Sequence, residues 1–506
     1  MALFNSIVSW VIKKRVHQID LFLRYPHDVQ EEWIARLVDT AKNTEWGRKY
    51  GYKSIKSSDA YKEQVPIQDY ESLKPYITRL RNTEQNILWP TEIKLFSRSS
   101  GTTADKSKFI PVSQEALEEC HFKAGKDVLT IYCNNNPDTE MFTGKSLTLA
   151  GSNQINDLNN DSYYGDLSAI LIKKTPYWVE LIRTPERSIA LLDEFEKKIE
   201  EIQRTTSKEN VTTIAGVPSW MLILMKHVLD KSGKDNLLEV WPNLELFIHG
   251  GINFGPYRDQ YEALIPSAEM KYMETYSATE GFFGIQDQQE SGDMLLMLDY
   301  GIYYEFIPKE EMEKEAPKTL SLSEVVVGET YALVISTNAG LWRYKIGDTV
   351  RFTSLSPYRV QVAGRIKHFI NAFGEELIID NAEHALSIAC KKSGAVITEY
   401  TAGPIYMSRE KAGAHEWLIE FEKSPGDLGY FAEMLDNALK AINSDYEAKR
   451  SGNMTLQAPV IHEMPKGIFF DWMKSRGKLG GQHKVPRLSN DRKYVDDILK
   501  LQAATA

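Results

Sequence analysis

Cysteine is scarce: Cys120, Cys133 and Cys390 are the three in 506 residues. Their odd number, wide spacing and lack of a Cys-x-x-Cys pair exclude a disulfide framework and a zinc site. A chain of this kind suits a reducing compartment, and a cytoplasmic location is expected. No apolar run approaches the roughly 20 residues of a membrane-spanning helix. In the segment Met1–Arg15 the charges of Lys13, Lys14 and Arg15 follow the apolar stretch. A secretory signal has them in front, so this segment reads as an amphipathic first helix. Positive charge is also in deficit. The 60 Lys and Arg against 70 Asp and Glu leave a net charge of −10, which gives no general attraction to nucleic acid or anionic lipid. Any phosphate site must be local. Three catalytic signatures are missing. His462-Glu463 lacks the second histidine of HExxH, no GxSxG elbow occurs, and Gly144-Lys145-Ser146 ends like a Walker A loop but has Thr at position 139.

What remains is an ordinary globular composition, 42% apolar and 26% charged. The length allows about two to four domains. Residues 1–80 read as helices, with Pro66 and Pro75 punctuating their end. Ser113 is placed to cap a further helix. Residues 145–151 read as a buried strand ending at glycine, and 186–204 as a charged amphipathic helix. Val211 to Gly216 and Leu244 to Gly251 each read as a strand ending in glycine, followed by a helix. Repeated strand-loop-helix units predict an α/β sheet with helices packed on it. Residues 293–307, 324–337 and 341–371 are β-rich and read as a β subdomain. Beyond about residue 378 the pattern becomes a shorter mix of helices and strands. The expected fold class is α/β: a large N-terminal domain over 1–375, with α/β sheets and a β subdomain, and a small mobile α+β domain over 376–506. Gly364 to Glu376 forms the boundary.

Four stretches carry candidate chemistry, and each also has a plain structural reading. Ser99-Ser100-Gly101-Thr102-Thr103 cannot pack a core but can wrap an anion with hydroxyls and amides; alone it is a solvated turn. Tyr276-Ser-Ala-Thr279-Glu280-Gly281 places a carboxylate beside two phenylalanines, where a phosphate-bound Mg²⁺ would partner it; alone it is a loop with a surface glutamate. Trp342-Arg343-Tyr344-Lys345-Ile346-Gly347-Asp348 ends in an acid suited to ribose hydroxyls, or in a hairpin turn. The stretch Gly477 to Arg487 is a basic, glycine-rich tail able to deliver Lys484 to developing negative charge, or a flexible end.

Together these motifs, in this order and spacing, resemble the adenylate-forming enzymes. The Gly364-Arg365-Ile366-Lys367 hinge and the late lysine complete the set. Within that superfamily the chain looks most like a bacterial-type member of the auxin-responsive promoter family of acyl acid amido synthetases. The details that match are Ser99 to Ala104 running to Lys108-Phe-Ile-Pro111, Arg343 to Asp348, and Gln482-His483-Lys484-Val485-Pro486-Arg487.

The resemblance implies a ligase using ATP and Mg²⁺, with a small carboxylic acid and an amino acid or other amine as its partners. It implies that Ser99, Ser100, Thr102 and Thr103 hold phosphates while Gly101 permits close approach. Tyr276 would stack on adenine, Thr279 contact the α-phosphate, Glu280 hold Mg²⁺ and Asp348 bind ribose. Lys484 would stabilise charge during adenylation, with Lys367 as a second candidate. The acyl pocket is expected at Val217, Trp220, Met221 and Leu224 and at the loop of His249 and Gly250, although an apolar helix face is also what a core needs. The resemblance leaves an acyl-CoA synthetase open, and a non-catalytic nucleotide-binding regulator is the alternative of another class.

Overall fold

The computed structural model describes the chain except residues 1–13, 100–107, 150–155, 158–161, 252–253, 366–368, 407–412, 444–445, 448–449, 451–455, 478–483 and the single positions 176, 193, 290, 313, 371, 373, 374, 376, 490 and 506. The expected first helix at Met1–Arg15 lies almost wholly outside the described residues; helix runs over 14–24. No described helix is long and apolar enough to cross a membrane.

The helical start is as read. Helices span Pro26–Ala41, Glu45–Lys49, Ser58–Gln64 and Tyr70–Arg81. Thr44, Ser57 and Asp69 cap the last three, accepting from the amides of Gly47, Ala60 and Ser72. Pro75 does not end a helix but sits inside Tyr70–Arg81, where Leu73, Ile77 and Leu80 bury one face across it. That shared apolar face outweighs the one backbone bond a proline forfeits. The stretch 186–204 is two helices, Arg187–Ala190 and Phe195–Thr206. Ala190 packs in a small cluster with Ala169 and Ile172 that does not include the buried Ile199 and Ile202. One straight helix could not serve both sets.

The first of two compact units comprises Met1–Val217, Leu224–Gly251 and Ala268–Val362. It holds two sheets. The smaller joins β1 (Leu95–Ser99), β2 (Lys108–Val112), β4 (Asn156–Asp157) and β5 (Tyr163–Gly165) in the order β2-β1-β5-β4. The larger has 11 strands. They are β3 (Lys145–Thr148), β6 (Arg183–Thr184), β7 (Val211–Gly216), β8 (Leu246–Gly250), β9 (Lys271–Ala278), β10 (Gly281–Ile285), β11 (Met294–Leu296), β12 (Ile302–Pro308), β13 (Thr330–Thr337), β14 (Tyr344–Leu355) and β15 (Tyr358–Arg365). Their order is β12-β13-β14-β15-β11-β10-β9-β8-β7-β3-β6. From β6 to β9 neighbours run parallel. Beyond β9, the pairs β9–β10, β10–β11, β11–β15, β12–β13 and β13–β14 are antiparallel. The β-rich middle of the chain is therefore the antiparallel half of one continuous sheet. The parallel strand β7 is covered on both faces, with Val211 to Ile214 all buried.

Ser113 caps as expected, accepting from the Ala116 amide at 2.9 Å. The helix then widens to a π-helix over Ala116–Phe122 before continuing as Lys123–Asn135. On it, burial pushes the His121 imidazole down to about 4, from an ordinary value near 6.5. The unfolded chain therefore takes up this proton more readily than the folded one. The stabilising contribution is complete above about pH 6.5 and is lost as pH falls through about 4. We expect wild-type stability to decline across that window by up to about 1.4 kcal/mol per pH unit for this one proton. A His121→Gln variant, followed by urea unfolding at each pH, shows a shallower decline. Parallel curves for the two proteins would remove His121 as the cause.

The second unit comprises Pro218–Ile223, Ile252–Ser267 and Ala363–Ala506. Its sheet joins β18 (Val396–Ile405), β19 (Ala414–Lys423) and β20 (Val460–Met464), after the short pair β16 (Phe369–Ile370) and β17 (Leu377–Ile378). In β19 successive residues are buried on both faces. Trp417 belongs to a core shared with the helices Ile379–Ser393 and Leu428–Ile442, and Leu418 to one shared with Ile468–Ser475 and Lys493–Thr505. The small sheet is thus sandwiched, as an α+β domain requires.

Candidate nucleotide and acyl site

Parallel strands deliver their following loops to one edge of a sheet, and that carboxyl edge is where α/β folds bind ligands. Here β7 ends at Gly216, β8 at Gly250 and β9 at Ala278. The register sets Gly216 opposite His249 and Gly250 opposite Thr275. His249 and Gly250 therefore lie level with Glu274 and Thr275, and Tyr276 to Glu280 run on beyond them. The approach is close. A Cβ on Gly250 would stand 2.3 Å from the Thr275 carbonyl oxygen and 2.8 Å from its Oγ1, while that hydroxyl donates to the His249 carbonyl at 3.1 Å. Gly250→Ala must spread this strand pair, and we expect a loss of about 1–3 kcal/mol. A melting temperature equal to that of wild type would show that the strands yield freely.

Strand β9 turns into β10 through Thr279 and Glu280 alone, since Ala278 pairs with Gly281. Thr279 is buried and Glu280 is half-buried. Three residues after Glu280, Phe283 bulges from the ladder, the register jumping between Phe282 and Gly284. The Phe282 amide donates to the Cys120 Sγ at 3.2 Å, a thiol that burial pushes up to about 12 and so keeps protonated. Sequence reasoning saw Cys120 only as a cysteine without a partner. Its role at this hairpin depends on a contact 162 positions away in the chain.

The structure brings Tyr276 and Asp348 together. The Tyr276 hydroxyl donates to Asp348 Oδ2 at 2.9 Å, and both residues are buried. Gly347-Asp348 is not a hairpin turn. It is a bulge inside β14, where the register against β13 shifts between Ala332 and Val334 and Gly347 takes φ +96°. Two extra residues on β14, one of them a left-handed glycine, re-aim the next side chain, and here Asp348 is turned inward. The Tyr276 ring lies 4.9 Å from that of Phe283, tilted by 55°.

The other candidates divide. The strands flanking the Ser/Thr/Gly loop form an antiparallel hairpin with Ser99 opposite Lys108, while Ser100, Gly101, Thr102 and Thr103 lie outside the described residues, as does Lys367. Val217 is the N-cap residue of the helix Pro218–Ser232. Met221 and Leu224 on that helix are fully buried, whereas Trp220 is half-buried. His249 is buried, its ring 5.1 Å from that of Phe247.

Lys484 is half-buried in the second unit. The segment after it is pinned rather than a loose tail. Thr401 Oγ1 donates to the Pro486 carbonyl at 2.5 Å, the Ala402 amide to Arg487 O at 2.9 Å and the Ser489 amide to Ala402 O at 3.0 Å. The Arg487 guanidinium donates to the Tyr257 hydroxyl at 2.8 Å, pairs with Glu399 and lies 4.7 Å over the Tyr400 ring. Sequence reasoning did not single out this clamp; its signal was a Pro-Arg pair closing a glycine-rich basic run.

Solved structures share this architecture. The GH3.15 acyl acid amido synthetase superposes with a TM-score of 0.78 at 16% identity, over 94% of this chain and 93% of that one. A 2-hydroxyisobutyryl-CoA ligase carrying an acyl-adenylate superposes with a TM-score of 0.58 at 12% identity, over 94% and 91%. The fold is that of the adenylate-forming ligases. The chain belongs to the GH3 family: its residues 15–270, 295–365 and 380–493 match the family's N-terminal, central and C-terminal domains. Among curated relatives, the indole-3-acetic acid-amido synthetase GH3.3 of Arabidopsis thaliana is 24% identical, over 94% of this chain and 91% of its own length. The jasmonoyl-L-amino acid synthetase JAR4 of Nicotiana attenuata is 25% identical, over 66% and 68%.

Proposed function

We propose that this protein is an ATP-dependent ligase joining a small carboxylic acid to an amine, with an amino acid as the acceptor. In the first half-reaction a carboxylate oxygen attacks the α-phosphorus of ATP and pyrophosphate leaves, giving the acyl-adenylate. In the second, the amine nitrogen attacks the acyl carbon, AMP leaves, and the nitrogen loses a proton to give the amide. The observation that carries this reading is family membership along nearly the whole chain, with relatives named as amido synthetases of indole-3-acetic and jasmonic acids.

The first step brings two anions together, so its barrier yields to positioning and charge neutralisation. Asp348 takes the ribose hydroxyls, the Tyr276 ring flanks the base and Thr279 meets the α-phosphate. Ser99, Ser100, Thr102 and Thr103 hold the remaining phosphate oxygens around Gly101. Magnesium is bound by one or two carboxylates together with substrate phosphates. Glu280, half-buried in a two-residue turn, fits as such a carboxylate. No group of three metal-ligating side chains occurs among the described residues; phosphate oxygens and waters would complete the ion's coordination. An ion held there would neutralise phosphate charge. The acid lies among Val217, Trp220, Met221, Leu224, His249 and Gly250. The domain over 376–506 carries Lys484 to the reaction and turns about the Gly364–Gly374 hinge between half-reactions, with Lys367 as a second cation. The reaction runs in the cytoplasm.

The experiment is acid-dependent pyrophosphate release from Mg·ATP, over aryl, indolyl and medium-chain fatty acids, with amino acids or CoA added separately. Release that requires an acid, and an amide formed with an amino acid, is the expected result. A thioester with CoA and no amide would make the protein an acyl-CoA synthetase. ATP binding with no release from any acid would make it a regulator.

A further inference from the structure

We propose that the Tyr276 hydroxyl is a positioning group for the ribose: it sets the Asp348 carboxylate through the 2.9 Å bond to Oδ2, apart from any role of its ring. This rests on the reading of Asp348 as the ribose acid. A carboxylate at the end of a flexible Cβ–Cγ bond must be held in one plane to accept hydroxyls well, and a buried phenol donor supplies that constraint. Two independent irregularities lie at the two ends of the bond. The Gly347 bulge, with φ +96°, turns Asp348 into the interior. The Phe283 bulge pairs Tyr276 with Gly284, so no side chain faces it from that position. Strands β9 and β14 are not neighbours, since β15, β11 and β10 lie between them. The sheet's hydrogen bonds do not bring these two side chains together, so the contact spans its curvature.

The test uses the full chain. KM and kcat for pyrophosphate release are measured with ATP, 2′-deoxy-ATP and 3′-deoxy-ATP for wild type, Tyr276→Phe, Asp348→Asn and the double variant. Tyr276→Phe keeps the ring and removes only the hydroxyl. The expected result is a KM for ATP raised about tenfold, as for one hydrogen bond to a charged group, with kcat within about twofold. Wild-type preference for ATP over the deoxy nucleotides shrinks by a similar factor. In the Asp348→Asn background the tyrosine substitution adds little, because the two act as one unit. A Tyr276→Phe enzyme with unchanged KM and preference overturns the proposal. So does a loss equally large for ATP and its deoxy analogues, which would mark a structural role, or full additivity with Asp348→Asn. Wild type that shows no preference for ribose hydroxyls overturns it as well. If no acid supports pyrophosphate release, the ligase reading fails separately. The same four proteins and three nucleotides are then compared by calorimetric Kd, with the same outcomes deciding.

Discussion

Lys484→Ala lowers acid-dependent pyrophosphate release by about 100- to 1,000-fold, the usual effect of losing one contact made to charge that develops in a transition state. Attack of a carboxylate on the α-phosphate crowds negative charge onto non-bridging oxygens, which a lysine ammonium placed there neutralises. The fold should survive the change. The chain after Lys484 is held through backbone bonds at Pro486, Arg487 and Ser489 and through the Arg487 clamp, none of which needs the lysine side chain. The measurement is pyrophosphate release beside a thermal melt, together with amide formation from supplied acyl-adenylate. A folded variant with near-wild-type adenylation would take Lys484 out of the mechanism. Equal losses in both half-reactions would assign it to the active site at large rather than to adenylation.

What could be read from the sequence was what local pattern encodes. An apolar run closed by glycine and followed by a helix-period stretch announced β7 and β8 with their following segments. The same rule brought Tyr276 to Glu280 to the carboxyl edge of the sheet once β9 was placed. Strand pairing was not legible, because the antiparallel partners of β12 to β15 are chosen by register over long separations. The Gly347-Asp348 pair shows the limit well. Glycine at positive φ serves a turn and a bulge equally, and only the partner strand, shifted between Ala332 and Val334, decides which it is. Pro75 misled for a related reason. A proline marks a helix end on propensity alone, whereas buried residues on both sides of it hold this helix together. The phenol–carboxylate contact of Tyr276 and Asp348 was invisible for want of any local signal, although both residues had been singled out.

Arg343→Met destabilises the protein by about 3–5 kcal/mol, because it leaves a buried carboxylate without its cation. The motif Arg343 to Asp348 is one stretch of sequence with two duties. At its far end Asp348 faces Tyr276. At its near end the Arg343 guanidinium donates to both Glu305 oxygens, at 2.8 and 2.9 Å, to the carbonyls of Lys62 and Val65, each at 2.6 Å, and to Thr319 Oγ1 at 2.9 Å. The Glu305 side chain is 1% exposed. Arg343 also adopts φ +42°, a strained backbone for a residue with a Cβ; its amide is held by Ser336 Oγ at 3.0 Å. This arginine therefore ties the helical start of the chain to strands β12 and β13, and it fixes where β14 begins. Urea unfolding is the direct measurement. Replacing both partners, Arg343→Met with Glu305→Leu, should recover much of the loss, since the stranded charge goes with the pair. If instead Arg343→Met keeps wild-type stability and loses affinity for ATP, the residue has a part in nucleotide binding. A stable double variant that still binds ATP would show that the two ends of the motif are separable, one holding the strand in place and the other doing the recognition.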